Sequence, residues 1–414
     1  MRIFLRRSRR DFFRSGFMGA LFTSLSGRHA NTAAPSSAAP RNVYDRMGVR
    51  TAINAVGTLT TLGGSLMPAE VKQAMEEASH HFVRIHDLQA AVGRRLAELT
   101  GAEAAFVTAG ASASICLATC AVTAGDDPAK INRLPHLEGM QDEIIIQKAH
   151  RNSYDHAFRM VGVKLVEVET EADVRAAVNA QTAAFAMVLS HNSLGHQIPL
   201  ERMIELAHAQ GVPFILDAAA ELPPLENLSK FTGLGADFVA FSGGKNLRGP
   251  QCSGLLLGRR DLIAKAYANS SPHNRFARIA KVGKEEIMGL LAAVELFVQK
   301  DHQAERQGWH DMLQRVAAEL AGSPTLVTEF IPNLDYSHSP RLSVQWDESK
   351  LNLSVDEMVR RLRAGTPAIE TSNMARFRPA WKGLGVFPYN LQPGEELIVA
   401  REIRRILVAA ARQS

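Results

Sequence analysis

Three side chains with catalytic potential stand directly after short apolar runs, and their spacing suggests one site. The run Asp237-Phe238-Val239-Ala240-Phe241 leads into Ser242-Gly243-Gly244 and delivers Lys245, after which Gly249-Pro250 and a second run, Gly254 to Gly258, follow. A strand that stops on small residues and presents a lysine suits Schiff-base chemistry, because glycines let a planar ligand approach the backbone. The same tetrapeptide also suits a surface lysine in a β-turn. Asp217 closes Pro213-Phe214-Ile215-Leu216, where a carboxylate can hold a ring nitrogen protonated or merely cap a turn. His150 follows Ile144 to Gln147; an imidazole there can stack on a planar ring, shuttle protons or serve as a loop hydrogen-bonder. Asn192 follows Phe185 to Leu189 and offers an amide to a phenolate oxygen, or a turn. Gly110-Ala111-Ser112 opens a helical pattern after Ala104 to Val107, and backbone N–H groups at a helix start bind phosphate. A plain helix cap uses the same residue types.

The elements that must position these groups are legible as pattern. Short apolar runs at 104–107, 144–147, 164–168, 185–189, 213–217, 237–242 and 255–258 read as strands, and helical periodicity fills several of the gaps. Residues 68–100 predict one or two helices, 112–122 another, and 171–180 and 200–210 two more; 54–58 and 63–65 read as loop. Strands alternating with helices predict an α/β fold with a mostly parallel, doubly wound sheet, in which ligands sit beyond the carboxyl ends of the strands. After about residue 259 the pattern changes to helices at 285–300 and 303–321, strands at 325–330 and 342–345, and helices at 355–364 and 395–411. The expected organisation is therefore a leader at 1–34, a large domain at 35–300 and a smaller α+β domain at 301–414.

The net charge of +5 is misleading as a guide to partners. Residues 1–30 hold seven arginines against Asp11, a net +6, so the rest of the 414-residue chain carries −1. A near-neutral body gives no argument for nucleic-acid binding. The leader contains Ser8-Arg9-Arg10-Asp11-Phe12-Phe13-Arg14, a modest apolar run from Gly16 to Leu25 and a segment rich in Ala, Ser and Pro. It resembles a twin-arginine export signal, so the export machinery is an expected partner and the periplasm the expected compartment. No apolar stretch reaches the roughly 20 residues of a spanning helix. The three cysteines, Cys116, Cys120 and Cys252, form neither a CxxC pair nor a ligand cluster with histidine, so no metal or disulfide framework is expected.

In combination, the helix start, His150, Asn192, Asp217 and a lysine 28 residues later are more specific than any one of them. That order resembles the fold-type I pyridoxal-phosphate enzymes, the aspartate aminotransferase superfamily. The segment Ser242-Gly-Gly-Lys245-x-Leu247-x-Gly249-Pro250-Gln251-x-x-Gly254 is similar to the lysine segment of the selenocysteine synthase and D-glucosaminate-6-phosphate ammonia-lyase group. Asn54-Ala55-x-Gly57-Thr58 and the stretch from Lys281 to Glu295 are similar to it as well. The resemblance implies pyridoxal 5'-phosphate as cofactor, with its Schiff base on Lys245, Asp217 at the pyridine nitrogen, His150 stacked on the ring and Asn192 at the ring oxygen. It implies Gly110, Ala111, Ser112 and Ser242 at the phosphate, and a homodimer or larger homo-oligomer with sites formed between subunits. The reaction expected is α,β-elimination on an amino acid or amino-sugar acid, with Lys245 moving the α-proton. Transamination, racemisation or selenium-transferase-type β-replacement would use the same residues, and a non-catalytic binding protein could keep the fold. Where relatives often carry an arginine for the substrate carboxylate, the sequence after Pro367 offers Arg376 and Arg378 without deciding between them or against both. The selenium transferase also carries an N-terminal tRNA-binding domain, where this chain has its leader. An exported enzyme would meet no seryl-tRNA, which weighs against selenium transfer.

Overall fold

The computed structural model describes residues 42–189, 197–331 and 339–413. The leader at 1–34 and Asn192 lie outside the described residues. Residues 42–49 form a short turn of their own, in which the Asn42 side chain accepts from the Tyr44 and Asp45 N–H groups.

Residues 50–414 make one compact unit. Its strands begin with β1 (Ala52–Asn54), β2 (Ala104–Thr108), β3 (Glu143–Gln147), β4 (Lys164–Val168) and β5 (Thr182–Val188). They continue as β6 (Phe214–Asp217), β7 (Phe238–Ser242), β8 (Gly254–Gly258), β9 (Val327–Ile331) and β10 (Arg341–Gln345). The last are β11 (Ala368–Glu370), β12 (Ser372–Asn373) and β13 (Leu384–Val386).

The main sheet has seven strands in the order β2-β8-β7-β6-β5-β3-β4. β8 runs antiparallel to both its neighbours, and the pairs from β7 through to β4 are parallel. The expected mostly parallel α/β sheet is therefore present. Its strands read as unbroken apolar runs because both faces are covered. Along β7, Val239 and Phe241 enter the core on one face while Phe238 and Ala240 enter the core on the other. After β3 the chain goes out to the edge strand β4 and then returns to the opposite side of β3 for β5. That reversal opens a crevice at the carboxyl ends of the strands.

Helices α1 (Ala69–Ser79), α2 (Ile85–Thr100) and α3 (Ala111–Thr123) account for the predicted periodicity at 68–100 and 112–122. α2 anchors the edge strand. Its buried Gln89 donates to the Val107 carbonyl at 2.8 Å and accepts from the Val107 N–H at 3.2 Å, so β2's free edge is satisfied by a side chain.

The C-terminal part contains an antiparallel sheet, β12-β13-β10-β9, and a parallel pair of β1 with β11. Residue 54, read from sequence as loop, closes β1. The strands between 368 and 386 carried no recognisable pattern, since each is two or three residues long. β1 was expected with the large domain, yet Ile53 and Ala55 join the core formed by Leu342, Val344, Ile369 and Ile403. Among the described residues no helix is long and apolar enough to cross a membrane, and no cluster of His, Cys, Asp or Glu could hold a metal ion.

Candidate functional site

The carboxyl end of β7 sets the position of Lys245. Gly243 donates its N–H to the Ser253 carbonyl at 2.9 Å and accepts from the Gly249 N–H at 2.8 Å, folding the segment into a tight loop. Only glycine fits at its base. A Cβ on Gly243 would stand 2.1 Å from Ser253 Oγ, and one on Gly244 2.5 Å from the Gln251 Cα. Arg248, at φ 57, closes the loop by donating its N–H to the Lys245 carbonyl at 2.9 Å.

Three further contacts clamp this loop from outside. Ser65 Oγ shares its hydrogen between the carbonyls of Gly244 at 3.0 Å and Lys245 at 2.8 Å. Asn246 Nδ2 donates to the Leu222 carbonyl at 2.5 Å, and Arg248 Nη2 to the Tyr389 carbonyl at 2.9 Å. Residues 63–65, read from sequence as loop, therefore have a mechanical task.

Around the amine, two acids converge. Burial pushes the Asp217 carboxyl above its ordinary range, while the Ala219 N–H, 3.0 Å from Oδ1, and the Lys245 amine act the other way. Glu221 lies one short turn later and is 4 % exposed. Burial first, and the Asp217 charge in addition, push its carboxyl up to about 8, against the opposing pull of Lys245 and Arg341. Desolvation lowers the pKa of the Lys245 ammonium, and both acids oppose that shift. A desolvated lysine holds more of its population as free amine, the nucleophilic form.

The start of α3 faces this end of the sheet. Gly110 is its N-cap at φ 127, no side chain caps the helix, and a Cβ there would meet nothing within 4 Å. The first three N–H groups, of Ala111, Ser112 and Ala113, precede the first helical bond, from Ser114 to Gly110, and point outward as an anion cradle. Thr108 Oγ1, 2.7 Å from Ser114 Oγ and 3.0 Å from the Gly110 carbonyl, fixes the entry angle. Ser242 ends β7 beside it, because Ser242 pairs with Gly254, which in turn pairs with Thr108.

His150 is buried in a 3-10 turn after β3, and its Nδ1 accepts from the Val188 N–H at 2.9 Å. The ring is thereby fixed at the crevice between β3 and β5, with Nδ1 engaged rather than open for proton transfer. The open alternatives for an anion-binding arginine also separate. Arg376 is exposed and paired with Asp356 at 3.3 Å, whereas Arg378 lies over the Trp381 ring at 5.0 Å.

Sequence reasoning missed Glu221, Ser65 and Arg248. In the sequence, Glu221 is one acid among 42 in the run Ala218-Ala-Ala-Glu221-Leu-Pro, with nothing to distinguish it from a solvated one. Its burial comes from the fold.

A cavity of about 840 Å³ lies at the opposite end of the sheet, lined by residues that include His208, Asp237 and Arg259. There the Asp237 carboxylate already accepts from the Phe214 N–H at 2.8 Å, His208 at 2.9 Å and Arg259 at 3.0 Å. These groups satisfy one another as a structural cap. The reactive combination is at the carboxyl ends.

The chain is similar to known proteins over most of its length. The chain is 31% identical over 383 residues to the D-glucosaminate-6-phosphate ammonia lyase of Salmonella typhimurium (strain 14028s / SGSC 2262), covering 89% of this chain and 99% of that one. It is 31% identical over 377 residues to the 5'-C-glycyluridine monooxygenase-decarboxylase of a Streptomyces species, covering 88% and 92% respectively. A solved structure of a D-glucosaminate-6-phosphate ammonia-lyase superposes with a TM-score of 0.78 at 30% identity, over 89% of this chain and 99% of that one. Residues 52–335 match the L-seryl-tRNA selenium transferase profile, and the chain belongs to that family.

Proposed function

We propose that the protein is a pyridoxal-phosphate-dependent lyase that removes ammonia from an amino acid, with an amino-sugar acid as the favoured substrate class. The observation that carries this reading is the buried Lys245 amine beside Asp217 and Glu221, opposite an uncapped helix start. The similarity to an enzyme named as an ammonia lyase across nearly its whole length supports it.

The residues fit the cofactor. Gly110 opens onto free space in front of the uncapped start of α3, and the buried Lys245 amine stands near the Asp217 carboxyl, whereas Gly243, Gly244 and Gly254 are required by close contacts within the protein itself. Lys245 would hold the cofactor's aldehyde carbon, Asp217 its ring nitrogen, and Gly110, Ala111, Ser112 and Ser242 its phosphate. His150 would stack on the ring, and Asn192 would contact the ring oxygen. When bound, the cofactor supplies an electron sink for the pair left behind when a substrate Cα–H bond breaks. A cation on Asp217 would relieve the cost of burying that carboxylate. Lys245 Nζ would take the substrate's α-proton and a β-substituent would leave with its bonding pair; the enamine so formed tautomerises to an imine, and water displaces its nitrogen as ammonia to leave a keto acid. Glu221, whose carboxyl burial pushes up to about 8, can donate a hydrogen bond or proton.

The test is the visible spectrum of the purified protein before and after borohydride, followed by ammonia release from amino-sugar acids. Loss of the Schiff-base band in Lys245→Ala is expected. A wild-type protein with no band despite added cofactor would sink the reading. The relative named as a monooxygenase-decarboxylase favours a second reading. Oxygen uptake with release of carbon dioxide, and no ammonia, would replace the first with it.

The reading of residues 1–34 as an export signal rests on Ser8-Arg9-Arg10 and the apolar run behind it. Replacing Arg9 and Arg10 with lysine should retain the protein in the cytoplasm on fractionation. A wild type already wholly cytoplasmic ends that proposal. Assembly as a homodimer or larger oligomer follows from the family resemblance and is checked by sedimentation.

A further inference from the structure

The turn after β6 holds a carboxyl that the cofactor contacts leave unused. Glu221 is 4 % exposed, and no described residue hydrogen-bonds to its carboxyl oxygens. An acid taken out of water without a partner costs stability, and such groups gather where a ligand reacts. Backbone contacts fix it on both sides. Its N–H donates to the carbonyl of Ala218, the residue after Asp217, at 3.1 Å, and its carbonyl accepts from Asn227 Nδ2 at 2.6 Å. The next carbonyl, of Leu222, accepts from Nδ2 of Asn246, the residue after the lysine. The turn that carries the acid is therefore tied to the loop that carries Lys245. The charged groups facing the carboxyl are Lys245, Asp217 and Arg341, and burial outweighs them in favour of its neutral form.

Elimination from a 2-amino-3-hydroxy acid, the arrangement in an amino-sugar acid, makes two proton demands. A base must take the α-proton, and an acid must protonate the β-oxygen, because hydroxide is a poor leaving group. Lys245 meets the first demand. In the same reading Asp217 holds the ring nitrogen, and His150 Nδ1 accepts from the Val188 N–H.

Deepening the lyase reading on which it rests, we propose that Glu221 is the catalytic acid that protonates the substrate's β-hydroxyl, so that it leaves as water. The Cα–H pair becomes the second Cα–Cβ bond, the Cβ–O pair goes to oxygen, and the Glu221 proton completes the water. The Lys245 ammonium then returns a proton to the Glu221 carboxylate, which restores both groups and leaves an enamine and water. Two neighbouring carboxyls thereby take opposite roles, each set by its surroundings.

The test uses the full-length holoenzyme with DL-serine and DL-β-chloroalanine, which differ only in the group on Cβ. Chloride leaves without a proton, so only serine needs the acid. The ratio of kcat/KM for serine to that for β-chloroalanine should fall about 100-fold or more in Glu221→Gln, the lower end of what a general acid contributes. Glu221→Asp, which keeps the proton on a shorter arm, should lie between the two and carries the comparison if Glu221→Gln does not fold. The ratio is independent of the fraction folded, which a circular-dichroism melt checks. The proton is also read without turnover: the infrared difference between wild type and Glu221→Gln at neutral pH should contain the carbonyl band of a protonated carboxyl.

An unchanged ratio in Glu221→Gln overturns the assignment in favour of the Lys245 ammonium as the acid. A carboxylate band in the difference spectrum, or a wild type that uses β-chloroalanine but not serine, overturns it as well. The cofactor band and ammonia from β-chloroalanine are read first. Without them the lyase reading fails and the assignment falls with it; with them and an unchanged ratio, only the Glu221 assignment fails.

Discussion

At the residue scale, the site is a small charged cluster from which water has been removed, and its pH dependence has a definite sign. The Glu221 carboxyl is raised from 4.5 to about 8 in the folded chain. The folded state therefore binds a proton that the unfolded state has released. Stability from this group is complete below about pH 4.5 and is lost as pH rises toward 8. For the cofactor-free protein this amounts to about 5 kcal/mol across that window, an order-of-magnitude figure from the shift. Urea unfolding at a series of pH values should show wild type losing stability relative to Glu221→Gln as pH rises. Parallel curves for the two proteins would show that the carboxyl is not held protonated. The sequence marked Lys245, Asp217 and the helix start, because each ends an apolar run. It did not mark Glu221, whose significance lies in its burial beside Asp217 and Lys245.

At the element scale, the lysine loop is shaped by backbone contacts made with three separate segments. Gly64 sits at φ +73, and a Cβ on it would stand 2.5 Å from the Gly244 carbonyl oxygen. Gly64→Ala should therefore destabilise the protein by about 1–3 kcal/mol. It should also shift the visible band of the bound cofactor, since the displaced backbone carries Lys245. A melt and spectrum identical to wild type would contradict the clamp. From sequence, residues 63–65 read as loop, which is their local state. Their partner, the carbonyl row at 244–245, is far away in the chain, so no local pattern reports it.

Across the whole molecule, one strand from near the start of the compact unit completes a core built from its end. Ile53, 7 % exposed, pairs in register with Ile369, and both join the C-terminal core. Ile53→Asp should cost about 3 kcal/mol or more in urea unfolding by placing an unpaired charge there, although it lies outside the lysine loop. A change under about 0.5 kcal/mol, the range of an exposed site, would show that β1 does not contribute. The α/β alternation, the order of the chemical groups and the glycine-bounded lysine were settled by the sequence alone, because apolar runs covered on both faces and glycine turns are local signals. Tertiary structure alone decided that β1 belongs with β11, that Glu221 joins Lys245 and Asp217, and that Arg341 is buried while Arg376 is solvated. Those outcomes depend on which distant segments exclude water from a group, and solvent exclusion is a property of the packed chain.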